Sequence, residues 1–174
     1  MRAGQAIARA AGLAQAGVML WRRAVEPFSR PFVFAWFKLA RGLTLGVRGI
    51  VLDSEGRVLL IEHTYVEGWH LPGGGVEKAE TAETALEREL VEEAGVRLTG
   101  PPNLVSIHSN HIHHPNDHVL TYLCPDWEPC PATSRGEIAQ VGWFALDGLP
   151  EGLRPGHRRR IEEALLGAER APLW

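Results

Sequence analysis

From Leu43 onward, aliphatic stretches and short polar breaks alternate along the chain in a way that belongs to strands. "LTLGVRGIVLD" is rich in β-branched and aliphatic residues, "SEG" at Ser54–Gly56 interrupts it, and "RVLLIEH" resumes it, which predicts two strands joined by a turn. "EGWHLPGGG" then runs from a strand end into a glycine loop at Gly73–Gly75. Beyond the loop the period changes. Ala82, Leu86 and Leu90 recur every fourth residue, predicting an amphipathic helix with Thr81 as N-cap, Glu83 in the first turn and Gly95 as its stop. Further strands are predicted near Leu104–Ser109 and His118–Cys124, then a loop over "DWEPCPATSRGE", a strand over "IAQVGWFAL" and a closing helix over "PGHRRRIEEALLGAE". Strands and helices mixed without strict alternation argue for an α/β sandwich.

The first forty residues follow a different pattern. Residues 3 to about 24 are dominated by Ala, Leu, Gln and Met without a proline, which predicts a helix. Pro27 and Pro31 break the chain, and "FVFAWFKLARG" from Phe32 to Gly42 is a short apolar segment that periodicity assigns to neither helix nor strand. Residues 1–43 are therefore read as an N-terminal helical extension and residues 44–174 as the domain proper, the apolar extension being a candidate homodimer contact. Arg9 and Gln15 interrupt any secretory apolar core, and the run from Pro31 is far shorter than the roughly 20 residues a spanning helix needs, so no membrane span is expected. An Arg-rich, acid-poor start is the alternative signature of a transit peptide or an interfacial helix.

Composition narrows the class. A chain of 174 residues, 45% hydrophobic and 22% charged, is long enough for one soluble domain with a full core. A net charge of −3 gives no electrostatic reason to expect nucleic acid as a partner. Lys38 and Lys78 are the only lysines, and the dominance of Arg, Ala, Gly and Pro points to a GC-rich, bacterial coding sequence. Cys124 and Cys130 are too few for a disulfide framework and too widely spaced for a structural zinc pair, so free thiols and a reducing cytoplasm are expected.

The chemistry concentrates in "RELVEEAG", Arg88–Gly95, where Glu89, Glu92 and Glu93 crowd one helical segment. Carboxylates three and four positions apart share a face and repel. On a wheel of about 100° per residue, Glu89 and Glu93 flank the apolar stripe, Glu92 lies further round, and Glu93 falls between the core and Glu89. A carboxylate on that edge is partly desolvated, and an unpaired desolvated charge is expensive. A merely solvated surface helix with Arg88 as local partner is the alternative. The glycine loop just before the helix favours the other reading, a hard divalent cation such as Mg²⁺, which takes oxygen ligands and keeps coordination positions for phosphate oxygens.

"GGVEKAETAETALERELVEEAGV", Gly74–Val96, resembles the Nudix box, G-x5-E-x7-R-E-U-x-E-E-x-G-U, where U is a bulky aliphatic residue. Gly74, Glu80, Arg88, Glu89, Leu90, Glu92, Glu93, Gly95 and Val96 fill every fixed position. With "GWHLPGG" before the box and "GEIAQVGWFALDGLP" after it, residues 44 to about 150 are similar to a Nudix domain, while the extension lies outside the resemblance. The resemblance implies an α/β/α sandwich with a mixed β-sheet. It also implies hydrolysis of a nucleoside diphosphate linked to another moiety, with Mg²⁺ or substituting Mn²⁺ held by the box. Carried over by position, Glu89, Glu92 and Glu93 are expected metal ligands, Glu80 a supporting ligand, Arg88 the residue that orients the carboxylates, and Gly74 a point of close backbone approach. Glu93 is the expected general base, with Glu92 and Glu137 behind it. Glu137, in "SRGEIAQ", is the candidate for an additional loop ligand, against a solvated loop residue.

Outside the box, Arg48 on the first strand is a candidate for bidentate phosphate contact, against an exposed strand arginine. Tyr65, Trp69 and Tyr122 are candidate base-stacking partners, with Trp69 equally suited to packing, and Trp143 reads as core. Five histidines in "HSNHIHHPNDH" (His108, His111, His113, His114 and His118) raise a zinc site, but Asn110, Pro115, Asn116 and Asp117 favour a polar hairpin. "HRRR", His157–Arg160, reads as a solvated basic turn able to attract an anion. The expected function is a pyrophosphohydrolase acting on a small nucleotide or nucleotide sugar. The alternatives are a non-catalytic nucleotide-sensing module, which has no need of every box carboxylate, and an RNA 5′-end pyrophosphohydrolase, which needs a continuous basic groove.

Overall fold

The computed structural model of the protein describes residues 42–134 and 136–174; the helix expected over residues 3–24 and the apolar segment after Pro31 lie outside them. Among the described residues eight strands and two α-helices occur, the short β4 and β7 in addition to the elements expected: β1 (Thr44–Val51), β2 (Val58–His63), β3 (Trp69–His70), α1 (Ala82–Glu89), β4 (Val96–Leu98), β5 (Asn103–Ser109), β6 (Asp117–Cys124), β7 (Trp127–Pro129), β8 (Ile138–Phe144) and α2 (Pro155–Leu165). β1 runs parallel to β6, with Val47 opposite Leu120, and β5 pairs antiparallel on the far side of β6, which makes this sheet mixed. β2 is the centre of an antiparallel trio with β3 and β8, and β4 pairs with β7.

Strand alternation divides the core in two. Val47 and Val51 of β1, Leu59 of β2 and Leu120, Tyr122 and Cys124 of β6 pack with Ala85, Leu86 and Leu90 on the α1 side. Ile50 of β1 and Val58 and Leu60 of β2 point the other way, to Leu71, Leu153 and Ile161 on the α2 side. The result is the expected α/β/α layering. Each fully buried leucine in these clusters contributes about 2 kcal/mol. Gly49 lets α1 approach β1: a Cβ there would lie 3.1 Å from Leu90 Cδ2.

The ends of α1 follow its sequence signals. Thr81 adopts φ −83°, ψ 157° and its hydroxyl accepts from Thr84 N–H at 3.1 Å. After Glu89 the chain widens into a π turn, Leu90–Ala94, and leaves through Gly95 at φ 64°, ψ 38°. A side chain at Gly95 would press against Cys130 O at 2.6 Å, so space as well as dihedral angle selects glycine.

Several local expectations change in the tertiary setting. β7 lies in the segment read as a loop, because its partner β4 is some thirty positions away and Trp127 Nε1–H reaches Leu52 O at 2.8 Å. Tyr122 is 4% exposed within the α1-side core and so presents no face to a base. Trp143 stacks on Trp127 at 5.3 Å, and Trp69 packs edge-on against Phe144 at 4.7 Å. "HRRR" is only half solvated: His157 and Arg160 are buried, Arg160 paired with Glu163 at 2.7 Å and bonded to Leu173 O. The histidine-rich segment is the hairpin between β5 and β6, and it spreads its imidazoles. His108 is buried 3.3 Å from Glu163, His111 bonds the Ser109 hydroxyl, and His113 and His114 are exposed in the turn. Both cysteines are free thiols, and burial pushes that of Cys124 up to about 12. Among the described residues no helix is long and apolar enough to cross a membrane.

Leu86→Ala, at the α1–sheet contact, is expected to lower stability by about 3 kcal/mol in chemical denaturation, whereas Ile107→Ala on exposed β5 is expected to cost under about 0.5 kcal/mol.

Candidate active site

The glycine loop and the π turn meet over a buried carboxylate. Glu93 is 8% exposed, and its Oε2 accepts from Gly73 N–H at 2.7 Å. Its Oε1 lies 3.8 Å from His63 Nε2, too far for a hydrogen bond. Burial, partly offset by the Gly73 N–H and by the positive field of Arg48, lifts the Glu93 carboxyl to about 7; the charges of Glu89 and Glu137 push in the same direction as burial. The wheel's inference that Glu93 sits between core and solvent is thus realised, although the π turn means a straight helix no longer describes the chain past Leu90.

Gly73 makes this contact possible. Its φ of +135° is open only to glycine, and a side chain there would collide with Val47 O and come within 3.0 Å of Arg48 Cα. Gly74 is needed for another reason: its φ is ordinary, but a Cβ would run into the carboxylate of Glu89. The strained dihedral expected at Gly74 therefore falls one residue earlier, and Gly74 supplies room.

Arg88 gathers the other box carboxylates. It donates to both oxygens of Glu80 at 3.0 and 3.1 Å, to Glu89 Oε1 at 2.7 Å and to Glu92 Oε2 at 3.5 Å, while its Nη2 also reaches Gly75 O. The hydrogen bond from Arg88 is the main reason the Glu80 carboxyl is held below its ordinary range. Glu80 further caps the loop by accepting from Glu77 N–H at 2.9 Å. The crowded glutamates singled out in the sequence are therefore not splayed into solvent: Glu93 is buried, Glu80 and Glu89 are tied down, and Glu92 is the most open at 42% side-chain exposure.

Among the described residues, no three acidic, imidazole or thiol groups already converge as a closed metal cage. The donor set still fits a hard divalent cation. All four box groups present carboxylate oxygens, and among the described residues Glu93 Oε1 makes no hydrogen bond and the buried charge of Glu93 lacks a cationic partner in direct contact. Glu80, Glu89, Glu92 and Glu93 are the residues that would hold such an ion.

The remaining candidates occupy distinct places around this centre. Arg48 is half-buried, donating to Val47 O at 3.0 Å and to Gly73 O, and its Nε has no partner among the described residues. It is not an exposed strand arginine. Glu137 is exposed; its carbonyl accepts from Thr64 N–H at 2.9 Å, and its charge reaches both Glu93 and His63. Tyr65 is 68% exposed with its ring 5.0 Å from that of His63. Two participants carried no local signal. His63 lies at the end of β2, and His70 is held to about 4 chiefly by burial, its ring 5.3 Å from His63 and 5.0 Å from His157. Only the pairing of β2 with β3 brings these rings together.

The NUDIX domain profile matches residues 42–164, and the chain belongs to that family. It is 31% identical to a MutT-like protein of Streptomyces ambofaciens over 72% of this chain and 79% of the other. It is 32% identical to diphosphoinositol polyphosphate phosphohydrolase 3-alpha of Mus musculus, over 66% of this chain and 73% of that protein. A MutT NUDIX hydrolase from Burkholderia pseudomallei superposes with a TM-score of 0.60 at 29% identity, covering 70% of this chain and 97% of that one. The protein is thus an enzyme of the Nudix hydrolase class, as the box implied.

The raised pKa of Glu93 has a definite sign for stability. The folded protein holds a proton at about 7 that the unfolded chain releases near 4.5, so this stabilisation is complete below about 4.5 and is lost as pH rises through 7. Metal-free protein is expected to lose up to about 3 kcal/mol between pH 5 and 8 in denaturant titrations, with the slope flattened in Glu93→Gln.

Proposed function

We propose that the enzyme hydrolyses the pyrophosphate linkage of a nucleoside diphosphate joined to another moiety, using Mg²⁺ with Mn²⁺ as a substitute. The observation that carries this is Glu93: a buried carboxylate, raised toward neutrality, held by the glycine loop and bordered by three further box carboxylates. A general base works best with a pKa near the working pH, and about 7 meets that condition. The name of one relative, a diphosphoinositol polyphosphate phosphohydrolase, supports hydrolysis of a diphosphate.

Glu89, Glu92 and Glu93 are assigned as metal ligands, Glu80 as a supporting ligand and Glu137 as an additional one from its loop. These residues would hold the ion, which when bound would neutralise the diphosphate oxygens and lower the pKa of an attacking water. Glu93 is the residue positioned to take a proton from an attacking water, its Oε2 held by the Gly73 N–H. Glu92 and Glu137 are the other groups able to take that proton. Arg88 keeps Glu80 and Glu89 oriented and offsets their mutual repulsion. Arg48 supplies positive charge to a substrate phosphate beside Gly74, whose missing side chain leaves the approach open. Tyr65, exposed beside His63, is available to cover a base. A reducing cytoplasm suits the two free thiols.

Turnover should be measured on ADP-ribose, sugar nucleotides, dinucleoside polyphosphates and oxidised nucleoside triphosphates, with and without Mg²⁺. Glu93→Gln is expected to lower kcat by about 10²–10⁴ while retaining ligand binding, and chelation to abolish turnover. Undiminished hydrolysis in EDTA or in Glu93→Gln would overturn the assignment.

A further inference from the structure

A cleft of about 570 Å³ opens on the α2 side of β1, and its walls are cationic. Arg48 enters from β1, Arg154 from the N-cap of α2 and Arg159 from its second turn. Among the described residues no aspartate or glutamate lines it, in a chain with 21 acidic residues and a net charge of −3. Among the described residues, neither Arg48 nor Arg154 has an aspartate or glutamate carboxylate within 4.0 Å, and Arg159 has none either but donates from Nη2 to Trp174 O at 2.6 Å, whereas Arg57, Arg88, Arg97 and Arg160 all pair with acidic side chains.

Their fields overlap. Arg48 and Arg154 both depress the titration of His70 and of buried His157, secondary to the burial of those rings. Guanidiniums gathered around one concavity without an acidic side chain beside them repel one another, and a bound anion reverses that cost. The first turn of α2 adds unbonded N–H groups, its earliest helical bond running from Arg158 N–H to Arg154 O. Arg48 Nε, a buried donor, has no partner among the described residues. The wall offers little to an uncharged base. Trp174 is its one large aromatic side chain, and that ring is already engaged by His157 at 5.2 Å and by Arg160 at 5.4 Å. His113 and His114 at the rim add further ring nitrogens.

Arg48 belongs to both sites. It donates to Gly73 O, and the N–H of the same Gly73 donates to Glu93. We infer that the Arg48–Arg154–Arg159 cleft receives a second anionic group of the substrate, a phosphate ester on the half away from the diphosphate that is cleaved. Its position relative to the scissile bond rests on the function proposed above; its affinity for phosphate does not. The enzyme then selects substrates that carry phosphate beyond the diphosphate, and nucleotides without it bind less well.

Calorimetry in EDTA, where the glutamates hold no ion, tests the cleft alone with tripolyphosphate, NAD⁺ and NADP⁺, the last two differing by one phosphate ester. Wild-type protein is expected to bind tripolyphosphate and to prefer NADP⁺ over NAD⁺. Arg154→Gln/Arg159→Gln is expected to weaken tripolyphosphate about tenfold or more and to erase that preference. Arg57→Gln/Arg97→Gln removes the same charge from distant exposed ion pairs and is expected to change binding by less than about twofold. Equal weakening in the two double variants, absence of tripolyphosphate binding, or equal binding of NAD⁺ and NADP⁺ by wild type would overturn the inference. Arg154 and Arg159 are exposed, so these variants are expected to fold, and Arg154→Gln alone provides a milder version with a smaller loss in the same direction. Intact phosphate binding without any hydrolysis would instead sink the proposed reaction and leave the cleft assignment standing.

Discussion

The hydrogen bond from Gly73 N–H to Glu93 Oε2 joins the two pieces of chain on which the site depends. A glycine loop at φ +135° lies hard against β1, and a π turn swings a glutamate beneath it. Burying a carboxylate costs several kcal/mol unless something answers its charge. A single neutral N–H and a nearby but non-contacting Arg48 answer only part of it, which is why the group titrates near 7 instead of in the ordinary carboxylate range. The fold holds this group in a tense state, and an incoming cation or proton relieves it.

Charge is sorted across β1. On the α1 side Arg88 gathers Glu80, Glu89 and Glu92, so that these three box carboxylates lie together without flying apart. On the α2 side Arg48, Arg154 and Arg159 face a cleft with no acid in its lining among the described residues. The backbone of Gly73 bridges the two, its carbonyl accepting from Arg48 and its N–H donating to Glu93. An acidic centre suited to a metal ion and a basic wall suited to phosphate would be complementary requirements of one polyanionic ligand.

Much of this was legible along the chain. The β1 and β2 alternation, the Thr81 cap, the Gly95 stop and the hairpin around Asn110–Asn116 are local signals, and all appear in place. The box glutamates and Arg88 were readable because their spacing itself encodes the helix face they share. What escaped were features set by distant partners. β7 formed in an apparent loop because β4 needed a partner, and Tyr122 was lost to the core because β6 lies between β1 and β5. His157 and Arg160 were drawn inward because Leu71 N–H, Glu163 and Leu173 O accept or offer bonds there.

The sequence by itself determined the main strands, the two helices and the group of carboxylates, since these follow from periodicity and from residue types a few positions apart. Only the tertiary structure decided which carboxylate is buried, which glycine bears the unusual dihedral and which arginines stand without an acidic side chain beside them. Desolvation and ion pairing depend on what approaches from elsewhere in the chain, and Gly73, Arg48 and Arg154 come from three separate segments that only folding brings together.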